Sequence, residues 1–396
     1  LSENTLVSLF GILTYNYNDK YIFTGSIRGD GSSRFSPENR WGIFYSAGGS
    51  WNLHNEPFMK DIDAVNRFKV RASYGTNGNY NIGNYSYFGT YVTSEYNNNQ
   101  SALPNRLPND ELTWERNDEF NIGLDLVLFK KLSANLEYYN RITSDMLLSV
   151  QLPRTTGFSS QRRNTGKLSN NGIELSLNYD AIKNDQMNLN VGLNVSHNKT
   201  ELLDLGGEEQ ILDGWNRIHK LNESYSQWYV YDWAGVNPTT GMGMWYDENG
   251  ELTESYGNAR QVTKGQIQPK YVGGFSVDFS WKGFSISSQF DFKTGHHVYI
   301  MESTYTKSDG WYIGHNQVAS QLDYWKEPGD RVGVPKPIAN NSSNSNAWKI
   351  GRWIERGDYL RFGLLNLSYN LPSDWLERVN LDAVTLYAEA SNIHAW

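Results

Sequence analysis

Apolar and polar residues alternate along many stretches of this chain, which is the period of two that a β-strand imposes on its side chains. The alternation is strict after Asn121, where the apolar positions are Ile122, Leu124, Leu126 and Leu128. It returns in residues 132–138, 173–179, 189–195, 275–281 and 284–292, and in a last hairpin of residues 359–371 and 381–390. The pattern therefore predicts an all-β fold built from hairpins.

Short polar turns and long loops take turns along the same chain. Residues 18–20 form one short turn, whereas residues 76–116, 198–268 and 295–353 are long polar segments. Soluble sandwiches also alternate apolar and polar residues, but outer-membrane barrels add short turns at one end and long loops at the other. Strands of about nine to eleven residues suit a tilted membrane crossing. We therefore predict a transmembrane antiparallel β-barrel with long extracellular loops.

The long segments show little regular pattern of their own. We predict one strand near residues 85–92, one near residues 146–152 and one or two within residues 198–268, with a single helical turn at residues 56–59. The polar positions of the strict strands carry mainly Asn, Ser, Gly and Asp. These small hydrogen-bonding groups suit a water-filled or protein-packed lumen.

One loop between two predicted strands has a specific composition. It reads Asp30, Gly31, Ser32, Ser33, Arg34 and Phe35. Residues of these types turn tightly or bond their own backbone, and Pro37 then breaks the strand pattern. We interpret the loop as structural, with Arg34 bracing Asp30, while its charged and hydroxyl groups leave a binding role open.

Composition excludes several classes of protein. The mean hydropathy is -0.62, and no apolar run approaches the ~18 residues of a spanning helix, which excludes a helical membrane protein but not a barrel. A net charge of -8 without a basic run argues against nucleic-acid binding. Aromatic residues make up 14% of the chain, as in barrels with aromatic girdles. The absence of cysteine fits an extracytoplasmic location, and the start at Leu1 without a signal peptide predicts a processed chain or a fragment.

No enzyme or nucleotide-binding motif occurs in the sequence, so we predict no catalytic residue, no cofactor and no metal. His296 and His297 are adjacent and would point to opposite faces of a strand, and with His315 they are expected to be ordinary loop histidines. Residues 247–251 resemble half of a calcium loop but lack its spacing. We predict a hairpin turn there instead.

A cluster of aromatic residues in the longest loop is the best ligand candidate. Aromatic faces stack on the apolar side of sugar rings, and neighbouring amide and carboxylate groups bond hydroxyls. The candidate ligand-binding residues are Trp215, Asn216, Trp228, Tyr229 and Trp233. The alternative is that these rings form an interfacial girdle or pack inside the loop.

Six short motifs, in one order along nearly the whole chain, carry a resemblance to a known family. They are DGSSRF at 30–35 with NRWG at 39–42, FKVRASYG at 68–75 with NGN at 77–79, LTWE at 112–115, NTGK at 164–167 with NGIE at 171–174, DYLR at 358–361 with YNLP at 369–372, and ASN at 390–392. Together they resemble the barrel of the SusC/RagA family of TonB-linked outer-membrane transporters. We expect Trp114 and Glu115 of the LTWE motif to be structural, like the 30–35 loop.

The resemblance implies an outer-membrane protein of a Gram-negative bacterium that takes up a bulky nutrient, most often an oligosaccharide and sometimes a peptide. Such a barrel has about 22 strands, lies in outer-membrane lipid and is closed by a plug domain. Its implied partners are a SusD-like surface lipoprotein and the TonB–ExbB–ExbD complex, which acts through the plug. We count about thirteen to fifteen strands and therefore interpret residues 1–396 as a partial barrel, with the plug domain and the final strand outside it.

Two alternatives from other classes stay open. A secreted or surface-attached β-rich glycan-binding protein would use the same tryptophans and would be soluble without detergent. A passive porin would have a similar barrel but neither TonB nor a lipoprotein as a partner.

Overall fold

The structure is a computed structural model that describes residues 3–339 and 349–396. Twelve long strands form one antiparallel sheet, which we call the wall. These strands are β1 (Leu6–Tyr17), β2 (Tyr21–Ser32), β3 (Trp41–Asn52), β4 (Val65–Asn79), β5 (Glu115–Leu128), β6 (Leu132–Ser144), β7 (Lys167–Lys183), β8 (Met187–Asp204), β9 (Tyr271–Trp281), β10 (Phe284–Thr294), β11 (Tyr359–Asn370) and β12 (Thr385–Ala395).

Each wall strand pairs only with the strands that precede and follow it in the wall. The connections at one end of the wall are short, and they comprise residues 18–20, 53–64, 129–131, 184–186, 282–283 and 371–384. The connections at the other end are residues 33–40, 80–114, 145–166, 205–270 and 295–358. The predicted asymmetry between a short-turn end and a long-loop end is therefore present.

Shorter strands outside the wall organise the long loops. They pair as Thr90–Tyr96 with Asn99–Arg106, Leu147–Gln151 with Ser160–Asn164, and His297–Tyr299 with Ile354–Arg356. The longest loop holds a four-stranded sheet of Gln210–Asp213, Arg217–Lys220, Gln227–Tyr231 and Gln261–Gln266, and a three-stranded sheet of Trp233–Val236, Gly243–Tyr246 and Leu252–Thr253.

Helical segments are short. Two α-helical turns comprise Ser303–Thr306 and Ser373–Leu376. The 3-10 turns comprise Leu53–Asn55, Pro57–Met59, Arg154–Thr156, Tyr256–Asn258, Ala319–Leu322, Gly351–Trp353 and Glu377–Val379. Among the residues described, no helix is long and apolar enough to cross a bilayer.

The two faces of the wall differ in chemistry, because the strand register keeps like residues on one side. The apolar face carries, with one example from each strand, Tyr15, Phe23, Tyr45, Tyr74, Ile122, Leu136, Leu175, Leu193, Val277, Ile286, Leu367 and Leu386. The polar face carries Thr24, Ser26, Ser46, Ser73, Asn121, Asn135, Ser176, Asn194, Ser276, Ser287, Asn366 and Glu389. A sheet of this kind separates an apolar environment from an aqueous one.

Aromatic residues form two belts on the apolar face. The belt near the long loops contains Trp41, Tyr45, Tyr74, Phe120, Tyr138 and Tyr271, and the belt near the short turns contains Tyr17, Tyr21, Trp51, Tyr179, Trp281 and Tyr369. Along β9, Tyr271 and Trp281 are the two ends of an 11-residue strand, which is about 33 Å at the usual rise. A tilt of about 45° reduces this to roughly 23 Å, close to the ~25 Å apolar band of outer-membrane barrels.

β1 departs from this division. Its residues Phe10 and Ile12 lie opposite Arg28 and Ser26 and therefore on the polar face. Both are exposed, at 70% and 66% of their surface. The polar face thus carries an apolar spot at this edge of the wall.

Several sequence predictions need correction. The wall strands have 11 to 18 residues rather than about nine to eleven, because they continue past the apolar band into the long-loop end. The strand predicted near residues 85–92 is a hairpin that begins at Thr90. The excursion of residues 198–268 contains seven short strands besides the end of β8, not one or two.

Other local predictions are confirmed. Leu147–Gln151 is a strand, and Pro57–Met59 is a helical turn. Residues 247–251 form a turn between the paired segments Gly243–Tyr246 and Leu252–Thr253. In that turn the Asp247 carboxylate accepts hydrogen bonds from the backbone N–H groups of Asn249 and Glu251, so the carboxylate serves the backbone.

Candidate functional site

Ion pairs connect strands on the polar face of the wall. Arg71 on β4 reaches across β5 to Glu137 on β6, with 2.7 Å between Nη2 and Oε2, and its Nε lies 3.7 Å from Asp125. Gly123 on β5 makes this possible, because a Cβ at that position would lie 2.5 Å from the Arg71 guanidinium carbon. Arg141 on β6 pairs with Glu119, its direct cross-strand neighbour on β5. These pairs fix long side chains flat against the wall and keep the space in front of it open.

A shallow groove of about 820 Å³ crosses the polar face from β4 to β10. Its lining includes the charged residues Arg67 and Asp125 at the β4–β5 end. The other polar side chains that line it are small hydroxyls and amides, namely Ser133, Asn135, Ser176, Asn178, Asn194, Ser276 and Gln289. Groups of this size donate and accept hydrogen bonds without carrying charge. The groove can therefore contact a polar, uncharged surface.

The segment of residues 30–35 was predicted to be a loop, but Asp30, Gly31 and Ser32 end strand β2 and the loop begins at Ser33. The segment is packed tightly beneath the neighbouring loops. Phe35 is fully buried, and its ring centroid lies 5.4 Å from that of Trp114. The Trp114 indole N–H donates to the Arg40 carbonyl over 3.0 Å, and Glu115 accepts from Asn79 over 3.1 Å. Phe44, Ile82, Tyr87 and Leu112 complete this cluster. The packing gives these motif residues a structural task at the long-loop end of β2 to β5.

Asp30 and Arg34 do not brace each other as we predicted. Asp30 is 7% exposed and pairs with Arg28 over 2.7 Å, because residues two apart share one face of β2. Arg34 donates instead to the Asn84 side chain over 2.9 Å and lies over the ring of Tyr80. Ser32 is buried, and Ser33 accepts a bond from the backbone N–H of Thr5. Gly31 is also close-packed, since a Cβ there would lie 2.8 Å from Trp41.

Residues 205–270, 295–339 and 349–358 pack together and form what we call the loop layer. A parallel bridge joins Tyr231 to Ile350, and the Tyr231 N–H donates to the Lys349 carbonyl over 2.8 Å. Ile350 and Trp353 are buried, with Tyr256 and Tyr299 packed against them. Burial raises the pKa of Tyr256 and of Tyr299 above the usual value, so both hydroxyls stay neutral.

The five candidate ligand residues all lie in this layer, but they differ in exposure. Asn216 is buried. Trp228 donates its indole N–H to the His297 carbonyl over 2.8 Å, and Tyr229 lies beneath the ammonium of Lys349. Trp233 packs edge-on against the fully buried Trp245.

Trp215 differs from the other four because it is 43% exposed. It lies in the turn between Gln210–Asp213 and Arg217–Lys220, and its ring meets Tyr299 at 90° with 5.3 Å between centroids. Trp215 is therefore the most exposed member of the set, and its role in stacking on a ligand stays a prediction.

A buried ion pair links the parts of the loop layer. The Asp309 side chain is 0% exposed and pairs with Arg352, whose side chain is 9% exposed. The Arg352 guanidinium lies 4.5 Å from the ring centroid of Trp353 and 5.3 Å from that of Trp233. Sequence reasoning missed this pair, since the two residues are 43 positions apart in segments without a periodic pattern. The sequence feature that pointed to this region was Trp233, which was selected for its aromatic ring and contacts Arg352.

His296 and His315 of the loop layer have different neighbours. His296 Nδ1 lies 4.0 Å from Asp358, and burial lowers the pKa of His296. His315 packs against the ring of Tyr312. Within residues 3–339 and 349–396, no three His, Cys, Asp or Glu side chains are placed to hold a metal ion.

A strand meander with one apolar face, one polar face, two aromatic belts and an end of long loops is the wall of an outer-membrane β-barrel. The family model for the TonB dependent receptor-like β-barrel matches residues 2–393, so the chain belongs to this family. The apolar face is the lipid-facing side, and the chain is an outer-membrane component of a Gram-negative bacterium rather than an enzyme.

Relatives confirm the resemblance to SusC/RagA. TonB-dependent receptor P3 of Formosa agariphila is 30% identical over 99% of this chain and 41% of its own length. TonB-dependent receptor SusC of Bacteroides thetaiotaomicron is 33% identical over 64% of this chain and 26% of its own length. The structure of the RagAB peptide transporter superposes with a TM-score of 0.87 at 28% identity, covering 100% of this chain and 44% of that one. The chain thus spans less than half the length of these relatives.

Proposed function

We propose that this barrel wall belongs to a TonB-dependent transporter of the SusC/RagA type that takes up a bulky polar nutrient. The nutrient is an oligosaccharide or, as the second candidate, a peptide. The observation that carries the proposal is the polar face, whose groove is lined mainly by hydroxyl and amide groups while the opposite face is apolar. A solute that is large and rich in hydrogen-bonding groups matches such a lining.

The proposed partners follow from the same assignment. A SusD-like surface lipoprotein would hold the ligand at the long-loop end, and the TonB–ExbB–ExbD complex would supply energy from the proton gradient. The peptide alternative is supported by the likeness to the RagAB peptide transporter. The oligosaccharide alternative is supported by the half-exposed indole of Trp215, since aromatic faces stack on sugar rings.

Uptake by cells that carry the full-length gene tests the function. Fluorescently labelled oligosaccharides and peptides of matched size are offered with and without a protonophore, and in a strain without TonB. We expect one ligand class to accumulate, and the accumulation to cease in both energy-deprived conditions. Accumulation that continues without TonB would indicate a passive porin, and a product found only in the soluble fraction would contradict the barrel assignment.

Replacing tryptophans in the loop layer tests the ligand-binding residues. We expect Trp215→Ala to weaken ligand binding by roughly tenfold, because a base or sugar stacked on an aromatic ring contributes about 1–3 kcal/mol. Trp375→Ala is the matched control, since Trp375 is also exposed, at 60%, but lies in the connection of residues 371–384 at the short-turn end, and it should leave binding unchanged. Equal binding by the wild type and the Trp215→Ala protein would remove Trp215 from the binding site.

A further inference from the structure

One stretch of the chain has a charge balance opposite to that of the whole. The chain has a net charge of -8, yet residues 146–173 contain no Asp and no Glu. The same stretch contains Arg154, Arg162, Arg163 and Lys167. It includes the hairpin of Leu147–Gln151 and Ser160–Asn164, which lies at the long-loop end. The stretch itself therefore carries four cationic side chains and no anionic one in an acidic protein.

A cleft of about 450 Å³ lies between this hairpin and the strand Asn99–Arg106. Two arginines, Arg106 and Arg162, contribute to its lining. The other polar side chains that line it are Ser86, Asn105, Ser149, Ser159 and Ser160. The lining contains cations, hydroxyls and an amide but no carboxylate, which is the composition of an anion-binding site.

Strand geometry explains why these groups converge. Arg162 pairs in register with Ser149, and Ser160 lies two residues before Arg162, so all three side chains share one face of the hairpin. Arg163 occupies the opposite face and donates to Gln161 over 2.8 Å. The hairpin itself is fixed, because Asn164 donates to the Thr113 carbonyl and accepts from the Thr113 N–H.

The two arginines have donors to spare. Arg106 uses Nη1 for one bond to the Tyr85 carbonyl, over 3.2 Å, which orients its guanidinium. The Arg162 side chain makes no hydrogen bond or ion pair with any described residue. A guanidinium offers five N–H donors in a planar fork that matches the two oxygens of a carboxylate or sulfate group.

We propose that the cleft between the hairpin of residues 147–164 and the strand Asn99–Arg106 is an anion-binding site that takes a carboxylate group of the transported ligand. This inference rests on the proposed transport function and narrows the ligand to an acidic oligosaccharide or an acidic peptide. Arg106 and Arg162 hold the anion, and the serine hydroxyls orient it.

Binding to the purified full-length protein in detergent tests the site. Four probes form two matched pairs, trigalacturonic acid with galactotriose and triglutamate with triglutamine, and calorimetry at low salt measures their affinities. We expect the acidic member of one pair to bind at least tenfold more tightly than its neutral partner, and the pair that shows this identifies the ligand as sugar or peptide. We expect Arg106→Gln and Arg162→Gln each to weaken that probe roughly tenfold, as loss of a charged hydrogen bond does.

Arg163→Gln is the matched control, because it removes the same charge from the opposite face of the same strand. It should leave the affinity within about twofold. Equal binding of acidic and neutral probes, absence of binding by both acidic probes, or an equal effect of Arg162→Gln and Arg163→Gln would overturn the site. Each variant must keep the heat-modifiable electrophoretic band of a folded barrel. Uptake that persists without acid selectivity would overturn the cleft alone, whereas acid-selective binding without TonB-dependent uptake would overturn the transport function alone.

Discussion

Replacing Arg352 with methionine should release the loop layer from its packed state while the wall stays folded. The Arg352 guanidinium is held between two indoles and pairs with the fully buried Asp309. Methionine keeps much of the side-chain length and fills the space between the rings. The substitution therefore removes the charge and its hydrogen bonds and leaves the Asp309 carboxylate without its cation.

The magnitude follows from burial. At the 3.3 Å between Arg352 Nη2 and Asp309 Oδ1, two unit charges attract by about 5 kcal/mol at an effective dielectric constant near 20, and desolvation offsets much of this. Removal of one partner costs about 3–5 kcal/mol, because the remaining charge stays buried. Loss of the cation–π contacts with Trp233 and Trp353 adds about 1 kcal/mol.

Amide hydrogen exchange of the full-length protein in detergent measures the effect. A loss of about 4–6 kcal/mol of local stability corresponds to exchange that is roughly 1,000- to 20,000-fold faster. We expect this acceleration in residues 205–270, 295–339 and 349–358, with no change in β5 to β8. Arg331→Met in the same loop is the control, because Arg331 is exposed.

Two results would refute this reasoning. Unchanged exchange in the loop layer would show that the ion pair does not hold it together. Faster exchange throughout the wall would show that loops and wall unfold as one unit. A double variant with Arg352→Met and Asp309→Asn should recover part of the lost protection, since it removes the buried charge that the single variant leaves behind.

Two further substitutions address the wall and its turns. Gly123→Ala should lower the free energy of unfolding by about 1 kcal/mol, because the added Cβ would displace the Arg71 guanidinium. Gly29→Ala is the control, since nothing lies within 4 Å of a Cβ at that position. Urea titrations followed by heat modifiability measure both variants, and equal losses of stability would contradict the explanation. A hydrogen bond from Lys20 is the main cause that lowers the pKa of Glu56 from its usual 4.5. The resulting stabilisation is present above pH 4.5 and is lost as the pH falls through the folded-state pKa, so Glu56→Gln should melt with a smaller pH dependence than the wild type between pH 7 and 3. An identical pH dependence of the two melting temperatures would rule out this role.

The wall could be predicted from sequence because its strands repeat one rule for many residues. Across the middle of β5 to β9, from residues 120–128 to residues 275–281, every second side chain is apolar, and the alternation fixes both the strands and the face that meets lipid. The ends were harder to predict. β8 continues to Asp204, where Asn198, Lys199 and Thr200 no longer alternate with apolar residues, so the pattern stops before the strand does.

The loop layer could not be predicted in the same way. Its strands are two to six residues long, which is too short for a period of two to stand out from chance. Trp233–Val236 and Gly243–Tyr246 became strands because they pair with each other and bury Trp245. Such pairing depends on tertiary contacts. The ion-pair partner of Asp30 was also unpredictable from sequence, because Arg28 and Arg34 lie at similar distances along the chain and only the folded structure selects Arg28.

The meander described for the wall makes it a one-dimensional assembly. In backbone pairing, each strand from β2 to β11 has its two chain neighbours as partners, and β1 and β12 have one each. The stability of the wall is therefore close to a sum of hairpin and nearest-neighbour contributions, as in repeat proteins, to which side-chain contacts across one strand, such as Arg71 with Glu137, are added. A chain cut within a short turn such as residues 184–186 removes one covalent link but no strand pairing. Two separately synthesised pieces divided there keep all the residues that pair β7 with β8. The circumference of such a barrel can likewise change over evolutionary time by the gain or loss of whole hairpins, without a change in the pairing of the other strands.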